Sequence, residues 1–299
     1  METSTPTIGF VGLGHMGGSM AARLLAAGYP VHGMNRTRRR AEDLIAHGLQ
    51  WHDTPREVAA AADVVLTSVP DDDALHVAAG GPDGILAGLT AGMTWVDVST
   101  VSPTASREMA AQVRAAGATM LDAPVSGSVP QVRAGTLTIM VGGDADAYSR
   151  VEPVLRELGT SRHIGSNGQG LVLKLAVNIN LAVQMLALAE GLLLADRSGV
   201  DRRLALEVMI GSAIGSPMLK ARAPLVLDPP AEAWFTLGLV QKDVELARDL
   251  ADGLGVPLPT ADRADEVLGL ARVLGYEGRD LAALFQVLEQ VTEKRRKAA

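Results

Sequence analysis

Two hydrophobic rhythms divide the chain. Up to about residue 165, short apolar runs alternate with stretches of helical character. Residues 7–11, 30–34, 64–70, 94–100 and 119–123 read as strands, and residues 15–28, 38–47, 71–88 and 103–116 read as helices between them. Residues 138–143 look like one more strand, in antiparallel contact, before a helix over 145–158. Strand, helix, strand repeated this often predicts a parallel sheet covered on both faces. After Gly165 the strand signals stop. A nearly unbroken apolar helical run extends from Gly168 to Asp196 and is expected to be roughly 40 Å long at the α-helical rise. Lys174, Asn178, Asn180, Gln184 and Glu190 punctuate it, which argues against a membrane span. Helices near 201–212, 239–253, 261–274 and 281–294, with a Pro-rich bridge at 223–230, complete an all-α half. Two domains are expected, residues 1–165 and 166–299, joined by the long helix, with the active site in a cleft between them.

The first strand runs straight into Gly12-Leu13-Gly14-His15-Met16-Gly17 and then into an Ala- and Leu-rich helix. Set between a strand and a helix, this spacing is the fingerprint of a Rossmann-type dinucleotide-binding domain. Gly12 permits the tight turn, Gly14 lets a pyrophosphate approach the backbone, and Gly17 lets helix and strand pack closely. His15 and Met16 occupy the variable positions of that loop. After the second strand, where an NAD site carries an acid for the ribose hydroxyl, this chain has Asn35-Arg36-Thr37, followed by Arg38, Arg39 and Arg40. A guanidinium, an amide and a hydroxyl suit a 2'-phosphate, so NADP(H) is expected rather than NAD(H). In a parallel sheet, ligands lie beyond the carboxyl ends of the strands. Val69-Pro70, Ser99-Thr100 and Pro124-Val125-Ser126-Gly127 are therefore expected on the nicotinamide side.

Composition narrows the chemistry further. The 299 residues are 47% hydrophobic and 20% charged, enough for a real core. The net charge of -7 argues against a nucleic-acid partner, and the Lys294-Arg295-Arg296-Lys297 cluster reads as a solvated tail. There are no cysteines, which excludes disulfides, thiolate metal sites and a cysteine nucleophile. The 6 histidines, at 15, 32, 47, 52, 76 and 163, lack metal-ligand spacing, and His163 reads as a loop residue. Met1 to Pro6 have no cationic and apolar leader pattern, so a cytoplasmic protein is expected.

Four motifs in order resemble the β-hydroxyacid dehydrogenase family, which includes 3-hydroxyisobutyrate dehydrogenase, tartronate semialdehyde reductase and the glyoxylate/succinic semialdehyde reductases. They are the stretch from Gly9 to Gly17, then Asp122-Ala123-Pro124-Val125-Ser126-Gly127-Ser128, then Gly168-Gln169-Gly170 with Lys174 and Asn178, and last Gln241-Lys242-Asp243. The resemblance covers nearly the whole chain. It implies that Lys174 is the catalytic general acid/base and that Asn178 positions a small hydroxy or oxo acid substrate. It implies further that Ser126 and Gly127 hold the substrate carboxylate, with Ser128 beside them where many members carry a second glycine. Lys242 would approach substrate or nicotinamide, and Thr100 is similar to the family's nicotinamide-side contact. Ser128, Asn35-Arg36-Thr37, the stretch 190–196 and Pro217-Met218-Leu219-Lys220 look closest to the NADPH-dependent glyoxylate/succinic semialdehyde reductase branch. The resemblance also implies a homodimer or homotetramer formed through the helical half.

On spacing alone, Lys242 and Asp243 also suit a surface ion pair on a helix. Asp243 is read as structural, orienting a lysine. Two other functions are compatible with the fold: an NADPH-dependent imine reductase, and a non-enzymatic NADP-binding module. Lys174 argues against the first, because imine reductases usually carry Asp or Tyr there. The set Lys174, Asn178 and Ser126 argues against the second.

Overall fold

Every residue of β1 (Ile8–Val11), β4 (Val64–Thr67) and β5 (Thr94–Asp97) is buried in the computed structural model, which describes residues 5–298. A strand alternates its side chains, so each of these strands feeds two cores. Ile8, Phe10, Leu66, Val96 and Leu121 enter one apolar cluster, and Val11, Val65, Trp95 and Met120 enter another on the opposite face. Double burial is why these strands read as continuous apolar runs rather than as alternating ones.

The remaining elements of this half are α1 (His15–Ala26), β2 (Val31–Met34), α2 (Glu42–Ala46), β3 (Gln50–Trp51), α3 (Pro55–Ala60), α4 (Asp72–Ala79), α5 (Ile85–Gly88) and α6 (Pro103–Ala115). They continue with β6 (Thr119–Asp122), β7 (Val125–Ser126), α7 (Val129–Ala134), β8 (Leu137–Gly142), α8 (Ala145–Leu158) and β9 (Gly159–Gly165). The sheet has 9 strands in the order β3-β2-β1-β4-β5-β6-β8-β7, with β9 paired to β8. β1 to β6 are parallel, whereas β8 runs antiparallel to β6 and β7, as the sequence led one to expect. The order reverses between β1 and β4, and that switch point is where doubly wound sheets bind ligands.

From Gln169 the chain enters α9 (Gln169–Arg197), a helix of 29 residues. The fold divides into two compact units, the first ending at Lys174 and the second beginning at Leu175, so α9 belongs to both. By length and composition alone α9 would pass for a membrane span. Its buried Ala182, Met185, Leu188 and Leu192 instead join the core of the second unit. That unit continues with α10 (Arg202–Gly211), α11 (Pro217–Arg222), α12 (Pro224–Leu227), α13 (Leu237–Leu254), α14 (Pro259–Val273) and α15 (Leu284–Ala298). Buried Arg222 donates to Asp280 at 3.1 Å, and Asp280 also accepts from the backbone of Trp234, Phe235 and Ala282, which fastens the proline-rich segment.

Several expectations need correction. The segment 223–230 is not purely a bridge, because Pro224 starts α12 at a position where a missing N–H costs nothing. His163 lies on β9 rather than in a loop; its Nε2 lies 2.8 Å from the carbonyl of Gly143 and its ring stacks on Tyr148. The cationic stretch 294–297 lies on the end of α15, where Lys294 and Arg296 are exposed as a solvated tail requires; the side chains of Arg295 and Lys297, like residues 1–4 of the stretch read as lacking a leader, lie outside the described residues.

Candidate active site

At Gly12 and Gly17 the glycine loop after β1 is shaped by contacts that only glycine tolerates. Gly12 has φ of 95°, and a Cβ on it would stand 2.2 Å from the carbonyl oxygen of Ser68. A Cβ on Gly17 would stand 2.0 Å from the carbonyl oxygen of Gly12, so the start of α1 is pressed onto the turn. At Gly14 nothing lies within 4 Å of such an atom, which leaves the loop open where a pyrophosphate needs to come close. Gly14 is the N-cap of α1 and supplies no side-chain acceptor, so first-turn N–H groups remain for an anion. These features fit a dinucleotide. His15 is exposed at the first position of α1, and Met16 packs against the core.

Asn35 braces this loop. Its Oδ1 accepts from the backbone N–H of Leu13 at 3.1 Å and its Nδ2 donates to the carbonyl of Thr37 at 3.1 Å. The carboxamide is thus committed to the turn, while Arg36 and Thr37 face solvent beside it. Arg38 sits over the Trp51 ring at 5.1 Å and lies 3.9 Å from Asp53, so of the arginine run it is the one with a structural anchor. Nearby, His32 Nδ1 and His52 Nε2 are 2.8 Å apart; burial and the neighbouring imidazole hold His32 below its ordinary value. No cluster of metal-binding side chains occurs among the described residues.

Val69, Pro70 and Thr100 follow β4 and β5 at the carboxyl edge of the sheet. The next loop carries Ser126 at the end of β7, Gly127 and Ser128. Gly127 has φ of 131°, a conformation that strains any other residue, and a Cβ there would also crowd the end of the Leu137 side chain at 2.6 Å. Ser128 caps α7, and its N–H donates to Gln131 Oε1 at 2.9 Å.

Asp122, at the end of β6, reaches the start of α9. Its Oδ1 accepts from the N–H of Gly168 at 2.7 Å and its Oδ2 from that of Leu171 at 3.2 Å. The residue before α9 is a glycine with no capping side chain, so this carboxyl from a distant strand does the capping. Gly170 makes the approach possible, because a Cβ there would stand 2.3 Å from the carbonyl of Met140 and 2.8 Å from Asp122 Oδ2. Burial pushes Asp122 up from its ordinary value, against the hydrogen bonds that pull it down.

Lys174 and Asn178 stand one turn apart on α9 and are only 8% and 1% exposed. In the second unit Asn178 donates to Asp243 Oδ2 at 2.5 Å, and Lys242 Nζ lies 2.9 Å from Asp243 Oδ1. Asp243 is 2% exposed, which overturns the reading of Lys242 and Asp243 as a surface pair. The orienting role expected for Asp243 reaches two groups, an ammonium and an amide. Reading the chain linearly missed Asp122 as a cap and Asp97 altogether.

A family model described as the NAD binding domain of 6-phosphogluconate dehydrogenase matches residues 7–168, and one described as the NAD-binding region of NADP-dependent 3-hydroxyisobutyrate dehydrogenase matches residues 168–288. Glyoxylate/succinic semialdehyde reductase 2 of Arabidopsis thaliana is 34% identical over 96% of this chain and 81% of that protein. The 2-hydroxy-3-oxopropionate reductase of Escherichia coli is 34% identical over 94% of this chain and 97% of that one. The structure of 3-hydroxyisobutyrate dehydrogenase from Mycobacterium tuberculosis with L-serine superposes with a TM-score of 0.84 at 31% identity, covering 95% of this chain and 99% of its own. With both halves matched and relatives aligned along nearly its whole length, the chain belongs to the β-hydroxyacid dehydrogenase family of NAD(P)-dependent oxidoreductases.

Proposed function

We propose that the chain is an NADP(H)-dependent oxidoreductase that interconverts a small hydroxy acid, β-hydroxy acids among them, and its aldehyde or oxo acid, with Lys174 as general acid/base. The observation that carries this reading is the buried polar set of Lys174, Asn178 and Asp243, because taking such groups out of water is costly and the fold itself gains little from them. When bound, the nicotinamide supplies or accepts the hydride. The Lys174 ammonium donates a proton to the oxygen that becomes an alkoxide at the substrate carbonyl carbon, and the amine takes that proton back in the oxidative direction. Its charge also stabilises the developing alkoxide. Asn178, fixed by Asp243, orients the substrate, and Lys242 brings a second positive charge to bear on it. Ser126, Gly127 and Ser128 offer hydroxyl and backbone donors to the substrate carboxylate.

Residues 1–165 then serve as the NADP-binding domain, with Gly12 to Gly17 at the pyrophosphate and Arg36 and Thr37 at the 2'-phosphate, and residues 166–299 serve the substrate and assembly. The preference for NADP(H) rests on the absence of a carboxylate at 35–37 and on the exposed Arg36. Glyoxylate, succinic semialdehyde and 2-hydroxy-3-oxopropionate, named in the relatives, share a carboxylate and a reducible carbonyl on a short chain, and that is the substrate class proposed. We infer a homodimer or homotetramer as well, since Leu194, Leu204 and Val208 expose 71%, 54% and 61% of their surface on α9 and α10.

Consumption of NADPH and of NADH, each followed by absorbance with glyoxylate, succinic semialdehyde, 2-hydroxy-3-oxopropionate and a cyclic imine, tests the proposal. Turnover of one aldehyde acid with NADPH well above NADH is expected. Turnover of the imine alone, or nucleotide binding with no turnover of any substrate, would overturn it.

A further inference from the structure

The backbone ladder of β4 and β5 closes just past their carboxyl ends, and from there side chains keep the two loops that follow fastened to each other. Thr67, Trp95, Asp97 and Ser99 are all buried, Asp97 to 1%. Trp95 Nε1 donates to Thr67 Oγ1 at 2.9 Å, and Thr67 Oγ1 donates to Asp97 Oδ1 at 2.7 Å. Ser99 Oγ donates to the same Oδ1 at 2.6 Å and accepts the backbone N–H of Val69 at 2.9 Å. A hydroxyl has one hydrogen to give. Because Asp97 takes the Ser99 hydrogen, the lone pairs of Ser99 are left for Val69, so the direction of the whole chain is fixed.

Two further ties join the same pair of loops: Val98 N–H to the carbonyl of Thr67 at 2.9 Å, and Ser102 N–H to Asp72 Oδ1 at 2.7 Å. A strand end could be held by apolar packing alone at lower cost than a buried carboxyl with three donors on one oxygen. What the polar chain adds is orientation, and it ends on Val69 and on the residue before Thr100.

We propose that Asp97 and Ser99 are positioning residues, which lock the loops carrying Val69-Pro70 and Thr100 in the shape that receives the nicotinamide end of the cofactor. The inference rests on the nicotinamide-dependent reading above. Neither residue needs to touch the cofactor; Asp97 orients the Ser99 hydroxyl, and Ser99 holds Val69. Burial pushes the Asp97 carboxyl up from its ordinary value; an amide in its place has the same shape and still presents an acceptor at Oδ1 to Thr67 and Ser99.

The experiment uses the full chain with Ser99→Ala, Asp97→Ala and Asp97→Asn. Amide hydrogen exchange at Val69 without nucleotide, the NADPH dissociation constant by fluorescence titration, and kcat are measured for each. Ser99→Ala and Asp97→Ala should speed exchange at Val69 by about tenfold, the loss of one hydrogen bond. They should lower kcat on the order of a hundredfold through misplacement of the reacting end. NADPH affinity should change by less than about threefold, since the pyrophosphate and adenosine contacts remain. Asp97→Asn should restore most of the turnover and of the exchange protection. Unchanged exchange at Val69 in Ser99→Ala, equal losses of affinity and kcat, or failure of Asp97→Asn to rescue would each overturn the inference. A wild-type chain that binds no nucleotide would defeat the functional reading instead, and the exchange measurement would still report on the tie itself.

Discussion

Replacing Asp122 with alanine removes the cap of the helix that carries Lys174. Both carboxyl oxygens are used, on Gly168 at 2.7 Å and Leu171 at 3.2 Å, and both recipients are buried. Two buried N–H groups that lose their acceptor cost about 1–3 kcal/mol each, offset in part by relief of the carboxyl's own desolvation. A net loss of about 2–4 kcal/mol is expected, at the upper end of or above the usual cost of a lost N-cap because the donors cannot turn to water. Asp122→Asn keeps one acceptor and sets an amide N–H against the other donor, so about half that loss is expected. Lys174 follows Leu171 within a single turn, so fraying at Leu171 should reach the proposed proton donor and lower kcat about tenfold. Guanidinium denaturation with hydrogen exchange at Gly168 and Leu171 reads both effects. An alanine variant within about 0.5 kcal/mol of wild type, with unchanged exchange at those amides, would refute the capping argument.

Other outcomes follow from the same geometry. Gly17→Ala puts a Cβ against the Gly12 carbonyl and should weaken NADPH binding by about a hundredfold or more in a fluorescence titration; near-normal affinity would mean that the loop is not the pyrophosphate site. Asp280→Ala removes the carboxylate partner of buried Arg222 and should cost about 3–5 kcal/mol in thermal denaturation, and a loss under about 1 kcal/mol would count against that ion pair as a fastening of the second unit. Asp97 and Asp122 are both raised by burial, so the folded state holds their protons more tightly than the unfolded state does. Their linked contribution is fully present below the ordinary carboxylate value of about 3.9 and is lost as pH rises through the folded values. Relative to wild type, an Asp97→Asn, Asp122→Asn double variant should therefore lose stability toward acid; parallel pH profiles would contradict this.

Much of the architecture is legible in the sequence because it depends on local pattern. The apolar runs of β1, β4 and β5, the glycines of the loop and the long run of α9 each announce themselves within a few residues. Among the elements that escaped, the strands β3, β7 and β9 are short or polar and recruited by a neighbour that already exists, and the helices α3, α7 and α11 have only 6 residues each, too few to show a periodic pattern. The site was half legible for the same reason. Lys174 and Asn178 share a helix, and their spacing is visible. Asp122 meets Gly168 across 46 residues and Asp243 meets Asn178 across 65, so only the fold gives those carboxyls a partner. Asp97 ends a strand like any other, and nothing local marks it as the acceptor of Ser99 and Thr67.

The central claim is that Lys174 moves the proton. Steady-state kinetics of Lys174→Ala with NADPH and the best aldehyde acid test it most directly. The claim predicts that kcat falls by about 10²- to 10⁴-fold while NADPH affinity and melting temperature stay near wild type. Near-normal turnover in that variant would contradict it.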